Sequence, residues 1–316
     1  MSLYPLKFQP VYKERIWGGE KLATAFGKDI PAGEKIGESW ELADLVEGKS
    51  TVKNGSLAGK TIAEVIEEFG SKAVMGVEDH KGPFPLLIKI LDAEDVLSVQ
   101  VHPDAETCKR RGKGDLKTEC WYIVAAEPGA CIYKGLKAGV TKEAFAKAIE
   151  DGTTADLLIK VPVEVGQCHH LPAGTVHAIG AGLLISEIQT PSDTTYRVFD
   201  WNRIDPKTGQ GRQLHIEDSL ESINFNQDPA ELTVESKGVL VDCEFFKVEK
   251  FQQNAGAEIS FGNDKMRVLM VTAGEGTIQG GGEKVAFIKG DTILAPADID
   301  CDVQFASDSE YLCVTI

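Results

Sequence analysis

Short apolar runs bounded by glycine and proline dominate the chain. Residues 85–91, 96–101, 120–125, 183–188 and 267–272 are of strand length, rich in branched side chains and closed by turn residues. Helical periodicity is confined to a few places. Thr61-Ile62-Ala63-Glu64-Val65-Ile66-Glu67-Glu68-Phe69 opens with Thr followed by Glu three residues on, the capping-box spacing, and ends at Gly70. Residues 141–149 begin similarly and stop before Gly152, and residues 217–225 form a third candidate helix. Many strands with few helices predict a mainly β fold, a sandwich or barrel with helical insertions.

Two segments read as degenerate copies. Gly166-Gln167-Cys168-His169-His170-Leu171-Pro172-Ala173-Gly174-Thr175-Val176-His177 has the form G-x5-P-x-G-x2-H. Gly290-Asp291-Thr292-Ile293-Leu294-Ala295-Pro296 repeats only its G-x5-P part, with Asp298 in place of the second Gly and Cys301 in place of the His. Each predicts a glycine turn feeding a strand that stops at proline. The expected organisation is two β-rich halves, of which only the first keeps a ligand-type residue. The polar stretch 226–237, containing Pro229, is the candidate junction, which divides the chain into 1–230 and 231–316.

Composition narrows the partners. A length of 316 residues fits two domains. Forty-nine acidic against 33 basic residues leave a net charge of −16, which opposes nucleic acid and anionic membrane surfaces. No apolar stretch reaches membrane-spanning length, and the first residues lack the basic-then-apolar pattern of a secretory signal. Seven irregularly spaced cysteines without a C-x-x-C pair point to unpaired thiols in a reducing cytoplasm. The expected assembly is a monomer or weak homodimer.

The G-x5-P-x-G-x2-H pattern resembles the second signature motif of the cupin superfamily, β-barrels that often hold a metal, and it supplies His177. Upstream, Ser98-Val99-Gln100-Val101-His102-Pro103 alternates polar and apolar, placing Ser98, Gln100 and His102 on one strand face. Lys117 and Glu119 share a face at the start of the next strand. His102, Glu119 and His177 form a two-imidazole, one-carboxylate set suited to Zn²⁺ or another divalent first-row ion, with Gln100 the candidate fourth ligand. Glu119 also fits a simple ion pair with Lys117. His80, His169, His170 and His215 lack such context and read as structural.

Larger blocks carry a closer likeness. Lys13-Glu14-Arg15-Ile16-Trp17-Gly18-Gly19, Gly37-Glu38-Ser39-Trp40, Pro85-Leu86-Leu87-Ile88-Lys89, Ser98 to Asp104, Lys117-Thr118-Glu119-Cys120-Trp121-Tyr122, Leu171 to Ala178 and Ser192-Asp193-Thr194-Thr195-Tyr196-Arg197-Val198 resemble, in order, the motifs of type I mannose-6-phosphate isomerases in their short bacterial form. The resemblance covers about two thirds of the chain, from Tyr4 to His215. It implies two cupin-type β-barrel or jelly-roll halves with a few inserted α-helices. It also implies one Zn²⁺ per chain held by Gln100, His102, Glu119 and His177, a catalytic Arg197, and interconversion of mannose 6-phosphate and fructose 6-phosphate through a cis-enediol(ate). The long form of the family carries a helical domain between the Glu and the second His. The 57 residues between Glu119 and His177 leave room here for about one helix.

Such a reaction needs a base, an oxyanion stabiliser and cations for the phosphate. Glu187 shares strand parity with Ile185 and Gln189 and is the candidate general base, with Asp193 and a metal-bound hydroxide as alternatives. Arg197 suits the developing oxyanion or the phosphate, being permanently charged. Lys117 is expected to touch substrate and to be catalytic, and Ser98 is a further phosphate-side candidate. Residues 108–117 hold five cations against one acid, and the run 109–113 is expected to gather at the pocket mouth. Two other readings remain open: a non-catalytic sugar-phosphate-binding cupin, and a cupin metalloenzyme of another reaction class, such as an oxygenase.

Overall fold

A computed structural model describes residues 2–204, 209–229, 232 and 234–316. The fold is mainly β and antiparallel, with two pairs of facing sheets, a small two-stranded one and, among the described residues, no closed barrel. In the first pair a seven-stranded sheet runs in the order Val234–Glu235, Cys168–Leu171, Glu119–Ala126, Leu183–Gln189, Leu87–Ala93, Ile36–Leu42 and Val11–Gly19. It faces a five-stranded sheet ordered Leu158–Pro162, Cys131–Leu136, His177–Ile179, Val99–Val101 and Tyr196–Phe199. Leu91, Trp121, Ile123, Ile132, Ile179, Leu183 and Ile185 fill part of the space between them. The second pair, from the C-terminal part of the chain, encloses Leu269, Val271, Ile278, Phe287, Ile293 and Val303.

Period-two geometry explains why the central runs are apolar throughout. On Leu183–Gln189, Leu183 and Ile185 face the first interior, whereas Leu184 and Ile188 join a core shared with the C-terminal sheet through Val268, Met270, Leu312 and Val314. Both faces of the strand are buried, so simple polar alternation is lost. What remains polar on the inner face is Glu187, with Lys89 opposite it on the neighbouring strand, and Gln189 at the strand end. The outer face of the five-stranded sheet, Val99, Val101, Ala178 and Val198, is covered by Phe145 of helix Lys142–Asp151 and Leu220 of helix Ile216–Ser222. Helix Lys142–Asp151 is the one α-helix between Glu119 and His177, as the spacing predicts.

The capping signals are realised. Thr61 Oγ1 accepts from Glu64 N at 3.3 Å and the Glu64 carboxylate accepts from Thr61 N at 2.7 Å, opening helix Ile62–Phe69. Thr141 caps Lys142–Asp151. Three short helices escape sequence patterning: Lys21–Phe26, Ser71–Met75 and Ala105–Arg111. The two G-x5-P copies match in geometry. Gly166 and Gly290 take φ values of 91° and 90°, in the region that favours glycine, and each precedes a strand, Cys168–Leu171 or Thr292–Ala295, that stops before proline.

Strand Leu6–Gln9 pairs with Thr292–Ala295 and with Thr51–Val52, so the start of the chain is built into the C-terminal sheet. The junction at 230/231 lies outside the described residues. All seven cysteines are free. Among the described residues no helix is long and apolar enough to cross a membrane.

Candidate metal centre and active site

The two facing sheets bring the three sequence-selected ligands together. Glu119 opens a strand of the seven-stranded sheet, while His177 and Gln100 are cross-strand partners in the five-stranded one. His102 follows directly on Val99–Val101. Ligating atoms of His102, Glu119 and His177 lie within 4.8 Å of one another. His102 Nε2 is 3.4 Å from Glu119 Oε2, and His177 Nε2 is 3.3 Å from Oε1. Backbone carbonyls fix both rings: Nδ1 of His102 donates to Thr194 O at 2.9 Å, and Nδ1 of His177 to Thr175 O at 2.8 Å. Each Nε2 therefore presents a bare lone pair to the carboxylate.

Four buried polar atoms, the two Nε2 and both Glu119 oxygens, make no hydrogen bond, and only Glu119 Oε2 has a cation beside it, the Lys117 ammonium. Buried polar atoms are rarely left so, and a divalent cation is the group that all four would satisfy together. The electrostatics agree. Burial pushes His102 down to about 3, with Lys117 adding to the effect, and lowers His177 as well. Burial alone would raise Glu119, but the Lys117 ammonium beside it holds it well below the usual carboxylate range. Neutral imidazoles and an ionised carboxylate are the forms that bind metal.

Beside this cluster lies a cavity of about 390 Å³. Gln100 and Lys117 border it, as do Ser98, Glu187, Asp193 and Arg197 from the sequence reading. Lys117 Nζ stands 3.1 Å from Glu119 Oε2. Glu187 is 4% exposed; its Oε2 accepts from Trp121 Nε1 at 2.9 Å and its Oε1 lies 3.2 Å from Lys89 Nζ. Burial, then the nearby Glu119 charge, raises the Glu187 carboxyl above its ordinary range against the pull of Lys89. Arg197 donates to Ser98 Oγ at 3.3 Å and Gln213 O at 2.8 Å and has no carboxylate partner among the described residues. Asp200 holds the neighbouring Arg212 by two hydrogen bonds, 2.7 and 2.5 Å.

Sequence reading missed four charged wall residues. Lys89, Arg15 and Arg212 add cations to the cavity, and Glu38 adds a carboxylate. Glu38 accepts from Arg15 Nε and from Trp40 Nε1, both at 2.6 Å. Lys89, Glu38 and Arg15 each sit within blocks singled out above, so the motifs carried the signal, while the apolar surroundings of Lys89 hid its role. Gly37 makes room for this wall, because a Cβ there would lie 2.6 Å from Arg15 Cβ and from the Trp17 ring.

The basic run is a correction. Residues 109–113 do not border the cavity. Most of them end helix Ala105–Arg111, and the carboxylates of a second helix neutralise them: Arg111 pairs with Glu217 and Asp218 at 2.9 and 2.7 Å, Lys113 with Asp218 at 2.9 Å, and Arg110 with Glu221. Five other cations line the cavity instead: Arg15, Lys89, Lys117, Arg197 and Arg212. His80 bonds Pro83 O, and His215 Nδ1 accepts from the Arg197 backbone N–H. His169 is buried without a partner for either ring nitrogen.

Known proteins share this architecture. The family model described as phosphomannose isomerase type I, catalytic domain, matches residues 5–127. The chain is 40% identical over 308 residues to mannose-6-phosphate isomerase ManA of Bacillus subtilis (strain 168), covering 94% of each chain. It is 40% identical over 315 residues to the mannose-6-phosphate isomerase of Streptococcus mutans, covering 98% of this chain and 97% of that one. The crystal structure of the mannose 6-phosphate isomerase from Bacillus subtilis superposes with a TM-score of 0.87 at 33% identity, over 99% of this chain and 100% of that one. Full-length identity and a shared fold together place the chain in the type I mannose-6-phosphate isomerase family.

Proposed function

We propose that the protein is a Zn²⁺-dependent mannose-6-phosphate isomerase. The observation that carries this reading is the convergence of four buried ligand atoms of His102, Glu119 and His177 beside a cavity walled by five cations. His102, Glu119 and His177 would hold the ion, with Gln100 the candidate fourth ligand. A bound Zn²⁺ supplies Lewis-acid polarisation of a substrate oxygen, worth several kcal/mol of charge stabilisation. The chain's own groups supply the rest. Glu187 carries the proton between C1 and C2, its carboxyl raised toward the working range of a general base. Lys117 holds the sugar near the metal ligands. Arg197 and Ser98 take the phosphate or the developing oxyanion, Arg197 having no carboxylate partner among the described residues.

The −16 charge of the whole molecule is compatible with an anionic substrate because the cavity concentrates cations. This polar, cationic wall also favours a phosphosugar over the oxygenase reading. Cytoplasmic action is the companion expectation, resting on the unpaired thiols. Formation of fructose 6-phosphate from mannose 6-phosphate, followed by a coupled assay, tests the proposal. Turnover is the expected result; mannose 6-phosphate binding without turnover would favour the sensor reading. An Arg197→Ala variant is expected to keep its metal and lose at least about a hundredfold in kcat/KM, as for loss of a charge-stabilising donor. Wild-type turnover would remove Arg197 from the mechanism.

A further inference from the structure

Trp121 stands between the candidate base and a metal ligand yet does not line the cavity. It is fully buried and lies directly across the strand pair from Glu187. Its Nε1 donates to Glu187 Oε2 at 2.9 Å, and its ring meets the His177 ring edge-on, with centroids 5.1 Å apart at 86°. The other Glu187 oxygen lies 3.2 Å from Lys89 Nζ. Each carboxylate oxygen thus has one protein donor, and they come from different strands: Lys89 from Leu87–Ala93 and Trp121 from Glu119–Ala126.

We infer that Trp121 is a positioning residue, whose indole N–H fixes the Glu187 carboxylate in register with the metal-binding imidazole of His177. This rests on the base role proposed above for Glu187. A flexible lysine alone would let the carboxylate swing about Nζ. A rigid indole, buried in the apolar cluster that includes Leu91, Ile123 and Leu171, removes that freedom. A base must hold its free lone pair toward a carbon-bound proton, where small misplacements are costly.

The test is a double-mutant cycle on the metal-loaded enzyme with Trp121→Phe and Glu187→Gln, read as kcat, KM for mannose 6-phosphate and metal content. Trp121→Phe is expected to lower kcat by about ten- to a hundredfold, the range for losing one hydrogen bond to a charged group, with KM and metal content little changed. In the Glu187→Gln background the same substitution should cost less than about twofold. An unchanged kcat, an equal loss in both backgrounds, or a loss that tracks metal content would overturn the inference. Wild-type turnover in Glu187→Gln would remove the base assignment itself, and the inference with it. Should Trp121→Phe not fold, indole ¹⁵N–¹H spectra of wild type and Glu187→Gln decide the matter. The chain has four tryptophans, and the Trp121 resonance is expected to shift; four unmoved resonances would contradict the bond.

Discussion

The cavity wall depends on buried charges that neutralise one another. Glu38 shows how strongly. Burial opposes its ionisation, but Lys89 and Arg15, aided by the Trp40 indole, push it down to about 2 from an ordinary value of 4.5. Its folded-state value is depressed, so its contribution to stability is fully present above pH 4.5 and is lost as pH falls toward 2. The size is about 3 kcal/mol. In urea unfolding at stepped pH, the stability gap between wild type and Glu38→Gln is therefore expected to narrow through that interval, and a constant gap would contradict the pairing. Residues of this kind were only half legible in the sequence. His102 and His177 were legible through the motifs around them, and Glu119 through the face it shares with Lys117, a placement that also fits an ion pair. Lys89 was not, since one lysine in an apolar run reads as a snorkelling edge residue until its partners on two other strands are known.

At the scale of elements, strands with repeated turn punctuation and helices with side-chain caps were readable from local chemistry alone. The short helices were not. Lys21–Phe26 and Ser71–Met75 span six and five residues, too few for a periodic pattern, and no side chain caps either start. Ala105–Arg111 has an Asp104 cap, but its charged last turn resembles a solvated loop. Its partner helix, Ile216–Ser222, explains the cations, and nothing local points to a pairing more than a hundred residues away. Strand approach has functional weight too. The pair Val11–Gly19 and Ile36–Leu42 comes close enough at Gly37 that an added methyl must displace Arg15 or Trp17. Gly37→Ala is expected to lower kcat/KM by about tenfold or more while leaving metal content intact, from misplacement of the wall. Unchanged kinetics would show that the wall tolerates the shift.

At the scale of the molecule, the halves meet over a core to which both contribute, and the first strand crosses into the C-terminal sheet. Sequence patterning found the repeat but not this joint, because pairing of Leu6 with Leu294 leaves no trace in local periodicity. The joint has a thermodynamic consequence. Halves that share a core should unfold as one unit, so calorimetry is expected to show a single transition; two separated transitions would mean that the joint contributes little. The C-terminal half thereby backs the strands that carry Glu119 and Glu187, burying Cys120, Tyr122, Leu184 and Ile188 on their outer faces.

The metal titration of activity bears most directly on the central claim. Protein stripped by chelator is expected to lose conversion of mannose 6-phosphate to fructose 6-phosphate and to regain it as Zn²⁺ reaches one ion per chain. Wild-type turnover by the metal-free protein, or none after one ion is bound, would contradict it.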